Sequence, residues 1–313
     1  MMSAPTIRDR NIDHLVICVR DLEAASRVYQ ALGFTLTPRA LHPFGTTNQL
    51  AQLERRHFLE LLGVADADKI PPMRPGFFSF GAFNTHYLEQ REGMSMLVLA
   101  SDDARRDQAA FEKAGLQTYA PFDFARKATL PDGRQVEVAF SMAFVTHPDI
   151  ADAAFFTCQQ HAPEYFWRRE YQSHPNTAIG VSEVIMTAPE PREFETFFAA
   201  LSGANRCVVN ASSLTVPLGA GRLTVLSPTG CAARFGDEVA LESTESARFV
   251  AYRVAVQSLD AVLAALDNGP LELVRITESD GVSVLRTAPT ATFGVTIEFV
   301  EDLSETLPGT SRW

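Results

Sequence analysis

Two ionisable side chains fall inside stretches that otherwise read as buried strand. His14 lies in Ile12-Asp13-His14-Leu15-Val16 and Glu60 in Phe58-Leu59-Glu60-Leu61-Leu62, both rich in apolar and β-branched residues. A lone histidine on an apolar strand is commonly a buried residue that hydrogen-bonds the backbone. A carboxylate in such a run is costly unless it is paired or metal-bound. Together the two point to a functional cleft, serving either as metal ligands or as a hydrogen-bonded pair that acts as a general base. All seven histidines lie before residue 175. A histidine-dependent site must therefore draw them from the N-terminal half.

The elements that would position these groups repeat along the chain. Ile12 to Val19 reads as a strand, and Asp21 is suited to cap a helix carrying Leu22, Ala25, Val28, Tyr29 and Leu32 at helical spacing. Gly33 suits the position that ends it. Short strands are expected at Phe34 to Pro38, Thr47 to Leu53 and His57 to Val64. The same order returns three times, with helices ending near Gly115, Gly203 and Gly269. The intervals are irregular and too long for a solenoid. The pattern predicts an α+β chain of four βαβββ modules paired into two domains, residues 1–161 and 177–313, with 162–176 as the joining segment. One such module curls into half an open barrel, and two side by side close a cleft.

Ile12-Asp13-His14-Leu15-Val16, Asp21-Leu22, Leu32-Gly33-Phe34, His42-Pro43-Phe44-Gly45-Thr46-Thr47-Asn48 and Phe58-Leu59-Glu60-Leu61 together resemble the vicinal oxygen chelate (VOC) superfamily, in particular its glyoxalase-like branch. His174-Pro175-Asn176, with Trp167-Arg168 before it, resembles the joining segment of that branch. The resemblance implies domains of the glyoxalase/dihydroxybiphenyl dioxygenase type. It also implies a divalent metal (iron, manganese or zinc) held by His and Glu side chains from the first and last strands of paired modules. His14 and Glu60 match two such positions, with Glu60 also the catalytic candidate. Such an ion binds adjacent substrate oxygens and stabilises an enolate or activates dioxygen. Lyase, isomerase and dioxygenase activities are all compatible, because the fold is far more specific than the reaction. The other class of function is a non-catalytic binding protein, similar to the antibiotic-sequestering members of the superfamily.

Module two departs from the pattern. Counting back from its helix-ending glycine puts Met96 at the place of His14, and aligning Phe156-Thr157-Cys158 with Leu59-Glu60-Leu61 puts Thr157 opposite Glu60. Neither is an ordinary ligand for a hard metal. Thr157, Gln159 and His161 share a strand face, so His161 is expected to reach the cleft from its far end. His42 and Asn48 flank a loop-to-strand entry and are candidates for substrate contact, or for a turn held by side-chain hydrogen bonds. In the C-terminal half Glu298 aligns with Glu60 and Glu183 falls near the place of His14. That half reads as a degenerate partner, its carboxylates solvated or hydrogen-bonded rather than holding magnesium or manganese. Gly76 to Phe83 carries four phenylalanines in an insertion and is expected to cover the cleft or an interface.

The remaining composition narrows the classes. With 27 Lys and Arg against 38 Asp and Glu, the net charge is −11 over 313 residues, unlike a nucleic-acid binder. There is no long apolar run for a membrane span and no signal-peptide core, so a cytoplasmic protein is expected. Four scattered cysteines fit reduced thiols rather than a zinc finger or disulfide scaffold. No glycine-rich phosphate loop supports a nucleotide cofactor, and no serine-triad spacing occurs. The expected partner is a small molecule, and four modules permit a homodimer without requiring one.

Overall fold

A computed structural model describes residues 9–129, 133–236, 246–266 and 271–302. In the first half, β1 (Ile12–Cys18) leads into α1 (Leu22–Ala31), β2 (Ala40–Leu41), β3 (Thr46–Gln52) and β4 (Phe58–Val64). After an inserted helix, α2 (Phe80–Gln90), the second unit runs β5 (Gly93–Ala100), α3 (Ala104–Lys113), β6 (Gln117–Thr118), β7 (Phe122–Thr129), β8 (Gln135–Thr146) and β9 (Ala154–Gln160). A short α4 (Pro163–Phe166) lies in the joining segment. The second half repeats the plan with β10 (Ala178–Thr187), α5 (Glu195–Ser202), β11 (Val208–Val209), β12 (Ser213–Leu218), β13 (Gly221–Leu226) and α6 (Pro228–Phe235). It continues through β14 (Arg248–Val256), α7 (Leu259–Ala265), β15 (Leu273–Thr277), β16 (Ser283–Thr287) and β17 (Thr296–Glu301).

Two mixed sheets result. The first runs β2-β3-β4-β1-β5-β9-β8-β6 with β7 also on β8, and the second runs β11-β12-β13-β10-β14-β17-β16-β15. In each, the first strands of two modules pair antiparallel at the centre, β1 with β5 and β10 with β14, and each lies parallel to the last strand of its own module. Phe34 to Pro38 is not a strand. The Phe34 N–H is still closing α1 onto the Tyr29 carbonyl, and Pro38 has no N–H to offer a ladder. The edge strand is Ala40–Leu41 instead. The helix expected to end near Gly203 opens with a tight turn at Pro191–Phe194 before α5, and Gly269 lies outside the described residues.

Strand alternation sorts the side chains onto two faces. On β1, Leu15 and Ile17 turn toward the helices, where they join one core shared by both halves, with Tyr29 and Phe111 from the first half and Phe198, Tyr252 and Phe299 from the second. His14, Val16 and Cys18 turn to the concave face. The two halves are pinned at fully buried points. The Tyr29 and Tyr252 hydroxyls meet at 2.8 Å, and burial pushes both phenols upward in pKa. Gly33, at φ 82°, stands where a Cβ would come within 2.7 Å of the Ala265 methyl and 2.8 Å of Asn176 Cβ. His174 locks the joining segment, donating from Nε2 to the Gln52 carbonyl (2.7 Å) and accepting the Thr35 N–H at Nδ1 (3.0 Å).

His57 makes a third link, its Nδ1 accepting the Val181 N–H at 3.0 Å. Burial drives its pKa from 6.5 down to about 4. Above pH 6.5 the ring is neutral in both states; below it the unfolded chain gains a proton that the folded chain refuses. The His57 contribution is therefore present above pH 6.5 and falls by about 2 kcal/mol by pH 5. Urea titrations at pH 7.5 and pH 5 should show wild type losing that much more than His57→Asn, which keeps an acceptor but does not titrate. Equal losses would place the junction's pH sensitivity elsewhere.

Candidate functional site

The concave face of the first sheet holds a chamber of about 50 Å³ that opens into an outer groove of about 650 Å³. Its wall is largely phenylalanine, including Phe58, Phe80, Phe124, Phe140 and Phe156. Phe80 comes from α2, so the inserted segment roofs the chamber. From the same insertion, Phe78 stacks on Phe144 with centroids 4.4 Å apart. The polar groups at the floor are His14, His42, Asn48 and Glu60.

Local backbone features bring these four together. β1 bulges at Asp13, where the register with β5 slips between Ile12 and His14. The bulge lets Asp13 Oδ1 accept from the neighbouring His14 Nδ1 at 2.6 Å while Oδ2 accepts from Gln160 at 2.9 Å. His14 and Phe58 are register partners on β1 and β4, and their rings stack at 4.1 Å. Glu60 lies two residues further along β4, on the same face, with Oε2 3.6 Å from His14 Nε2. That gap is too long for a hydrogen bond.

His42 arrives from a tight turn that needs Gly45, at φ 89°, because a Cβ there would collide with the Asp66 carbonyl. Its Nδ1 bonds Thr46 Oγ1 at 2.7 Å, and its Nε2 accepts from Asn48 Nδ2 at 3.3 Å and stands 4.0 Å from Glu60 Oε1. Asn48 Nδ2 also donates to Glu60 Oε1 at 2.6 Å, while Asn48 Oδ1 is buried without a partner among the described residues. Burial lowers the His42 pKa against the opposing pull of Glu60, so the ring is neutral, the form that ligates metals.

Both imidazoles thus have Nδ1 anchored by an oxygen and Nε2 turned toward one carboxylate. Outer-shell anchoring of this kind is how metal-binding histidines are oriented. The donors occupy one side only, and among the described residues no three His, Cys, Asp or Glu side chains are gathered as a ready metal cage. Module two supplies apolar groups opposite. Val16 pairs with Glu60 and Val98 with Phe156, so Phe156, not Thr157, is the counterpart of Glu60. Met96 and Phe156 both belong to the apolar lining of this face.

The face read from sequence for β9 is therefore reversed. Thr157 packs away from the chamber, its hydroxyl unpartnered among the described residues, and Gln159 caps the start of α3 by accepting the Ala104 N–H. His161 is exposed and bonds Ser141 Oγ at 2.8 Å; it does not line the chamber. Asp13 and Arg126 were not picked out from sequence. Asp13 directly precedes His14, and adjacency to a candidate ligand was the available signal. Arg126 lies on β7 at the throat, lining both cavities, and no sequence spacing links it to the floor.

The second sheet fills the equivalent face differently. Glu298 lies on the last strand of its module, as Glu60 does, and pairs with Arg253 across β14 and β17; in the sheet order β17 takes the place of β9. Arg234 from α6 reaches Glu183 Oε2 at 2.9 Å and Glu298 Oε2 at 2.8 Å, so a guanidinium bridges the two carboxylates. Arg253 (2.8 Å) and Arg286 (2.6 Å) also hold Glu298, and Arg222 and Thr224 hold Glu183. These arginines lower both carboxyls despite burial, Glu183 to well below the usual range. The carboxylates are consumed by protein cations.

Paired βαβββ modules, central antiparallel first strands and ligand-type residues facing a concave sheet define the vicinal oxygen chelate fold. Residues 12–202 match the family model described as "Glyoxalase-like domain", and the chain belongs to that family. No curated protein matches the sequence. Among solved structures, a hypothetical protein from Staphylococcus aureus superposes with TM-score 0.64 at 11% identity, covering 93% of this chain and 99% of that one. A mutant of 4-hydroxymandelate synthase from Streptomyces coelicolor gives 0.58 at 13% identity, over 94% and 92% of the two chains. The Mn(II)-bound glyoxalase from Novosphingobium aromaticivorans gives 0.57 at 11%, over 95% and 83%. At such identities these likenesses speak for the fold. Among the described residues, no helix is long and apolar enough to cross a membrane.

Removing Arg234 should expose how strongly the second sheet depends on it. Arg234→Met leaves two buried carboxylates short of their shared cation and should cost about 3–5 kcal/mol in urea unfolding. Arg222→Met, at a partner 49% exposed, should cost no more than about 1 kcal/mol. Equal costs would mean that Glu183 and Glu298 do not depend on the bridge.

Proposed function

We propose that the N-terminal chamber is the active site of a metal-assisted enzyme, of lyase, isomerase or dioxygenase type, acting on a small oxygen-bearing molecule with an apolar or aromatic body. The observation that carries this reading is the convergence of two anchored imidazoles on Glu60 inside a phenylalanine-lined chamber. The donor set fits one side of a divalent ion: His14 and Glu60 would hold it, with His42 next nearest. When bound, the ion supplies Lewis-acid polarisation of adjacent substrate oxygens.

The protein's own groups have separable roles. Asp13 holds the proton on His14 Nδ1 and so leaves the Nε2 lone pair facing the chamber. Asn48 steadies Glu60 through Oε1, which leaves Oε2 to take a proton from substrate. The Asn48 Oδ1 left without a partner among the described residues supports a role for Asn48 in accepting a substrate hydroxyl. The aromatic wall excludes water, and the low polarity strengthens each of these interactions. The second reading is a non-catalytic small-molecule binder, favoured by Met96 and Phe156 where a closed ligand set would need donors.

Metal content separates the two. Protein purified without chelator or a His-tag should carry near-stoichiometric iron, manganese or zinc. Glu60→Gln and His14→Ala should each lose it, while His161→Ala retains it. A wild type that stays metal-free after anaerobic reconstitution, with no manganese-dependent rise in melting temperature, would favour the binding protein.

A further inference from the structure

The outer groove differs in charge from the molecule as a whole. In a chain of net charge −11, its lining includes Arg39, Arg126, Lys127 and Arg168 against the single acid Glu170. Arg168 is committed to Glu170 at 2.6 Å. Arg39 donates to Thr47 Oγ1 at 2.9 Å and has no carboxylate partner among the described residues. A cationic mouth in an acidic protein raises the local concentration of anions and steers them inward.

Arg126 stands at the point where groove and chamber meet, lining both alongside Asn48, Leu50 and Phe166. Among the described residues its guanidinium has no ion pair and no hydrogen-bond acceptor; its one electrostatic partner of opposite sign is Glu60, across the chamber. The second sheet shows the contrast, since Arg234, Arg253 and Arg286 are each bound to carboxylates there. Burial disfavours the charged form of Arg126, as expected of a cation without a close counter-ion. A desolvated arginine left open at a cavity throat is a receptor for a planar oxyanion, which it can grip through two parallel N–H groups.

We infer that Arg126 is an anion-binding residue and that the ligand is an organic acid, its carboxylate on this guanidinium. The volumes set the pose. The 50 Å³ chamber is too small as it stands for a ring and takes only a small oxygen function, whereas the 650 Å³ groove takes the body. Leu41, Val138, Tyr165 and Tyr171 give that groove apolar and aromatic surface. The acid group therefore sits at the throat, with the adjacent oxygen directed to Asn48 and Glu60. The inference rests on the N-terminal cavity being a small-molecule site, and it does not require the metal.

The test compares phenylacetate and 3-phenylpropionate with their uncharged amides. Binding is read by melting temperature and by Trp167 fluorescence in a Trp313→Phe background, because Trp167 packs against the lining residues Phe58 and Phe166. The acids should bind about tenfold or more tighter than the amides, as a charge-assisted hydrogen-bonded pair allows. Arg126→Met should abolish that preference while leaving amide affinity unchanged, and Arg126→Lys should retain part of it. Arg27→Met, at an exposed position of α1 paired with Glu23, should change nothing. Acids and amides binding alike, or Arg126→Met weakening both equally, would overturn the anion site and leave the cavity reading intact. Inorganic phosphate competing as well as the acids would replace the organic acid with a simple anion and overturn the assignment. No response to acid or amide in folded wild type would remove the small-molecule reading and the inference with it.

Discussion

A carboxylate on the concave face of a twisted sheet cannot stay charged without something to balance it. Both halves of this protein carry a glutamate on the last strand of a module, Glu60 on β4 and Glu298 on β17, and they balance it in opposite ways. Glu298 is enclosed by three guanidiniums, with Arg234 bridging to Glu183 where a cation would otherwise be needed. Glu60 has one amide donor and two imidazoles held near but not against it. One face is closed by its own ion pairs; the other keeps an open carboxylate edge at the floor of a cavity.

The open face depends on what lies behind it. β1 is buried on both sides, so His14 is presented by a strand whose alternate residues are locked into the core shared by both halves. The Tyr29–Tyr252 bond, the Gly33 contact and the His57 link tie that core across the junction. The floor groups therefore sit on rigid elements, with bulge and turn used only to aim Asp13 and His42. The wall is mixed in origin. Phe58, Phe124, Phe140 and Phe156 come from module strands, while Phe80 of α2 and Phe166 of the joining segment are added around the paired modules to close it.

Much of the site was legible because its residues are conspicuous in type. His14 and Glu60 interrupt apolar strands, and His42 and Asn48 flank a glycine-bearing turn. The structure assembles these four, with His42 close enough to count among the donors. His161 and Thr157 were misplaced by a single residue of register, which on a strand carries every side chain to the opposite face. Arg126 was invisible because it sits more than sixty residues from Glu60 in sequence and meets it only across the chamber. Arg234 was hidden likewise, on a helix unrelated in pattern to the strands whose glutamates it bridges.

The amino-acid sequence by itself determined the repeated strand–helix–strand order, because hydrophobic period, caps and helix-ending glycines are local signals that each module carries independently. It also determined which residue types could do chemistry, since an ionisable group in an apolar run is costly wherever that run folds. Only the tertiary structure decided which of them meet. The parallel registers of β1 with β4 and of β5 with β9 placed Met96 and Phe156, rather than further ligands, at the module-two counterparts of His14 and Glu60. Charge balance followed from the same contacts: whether a buried carboxylate meets arginine, histidine or open space depends on distances between segments far apart in the chain.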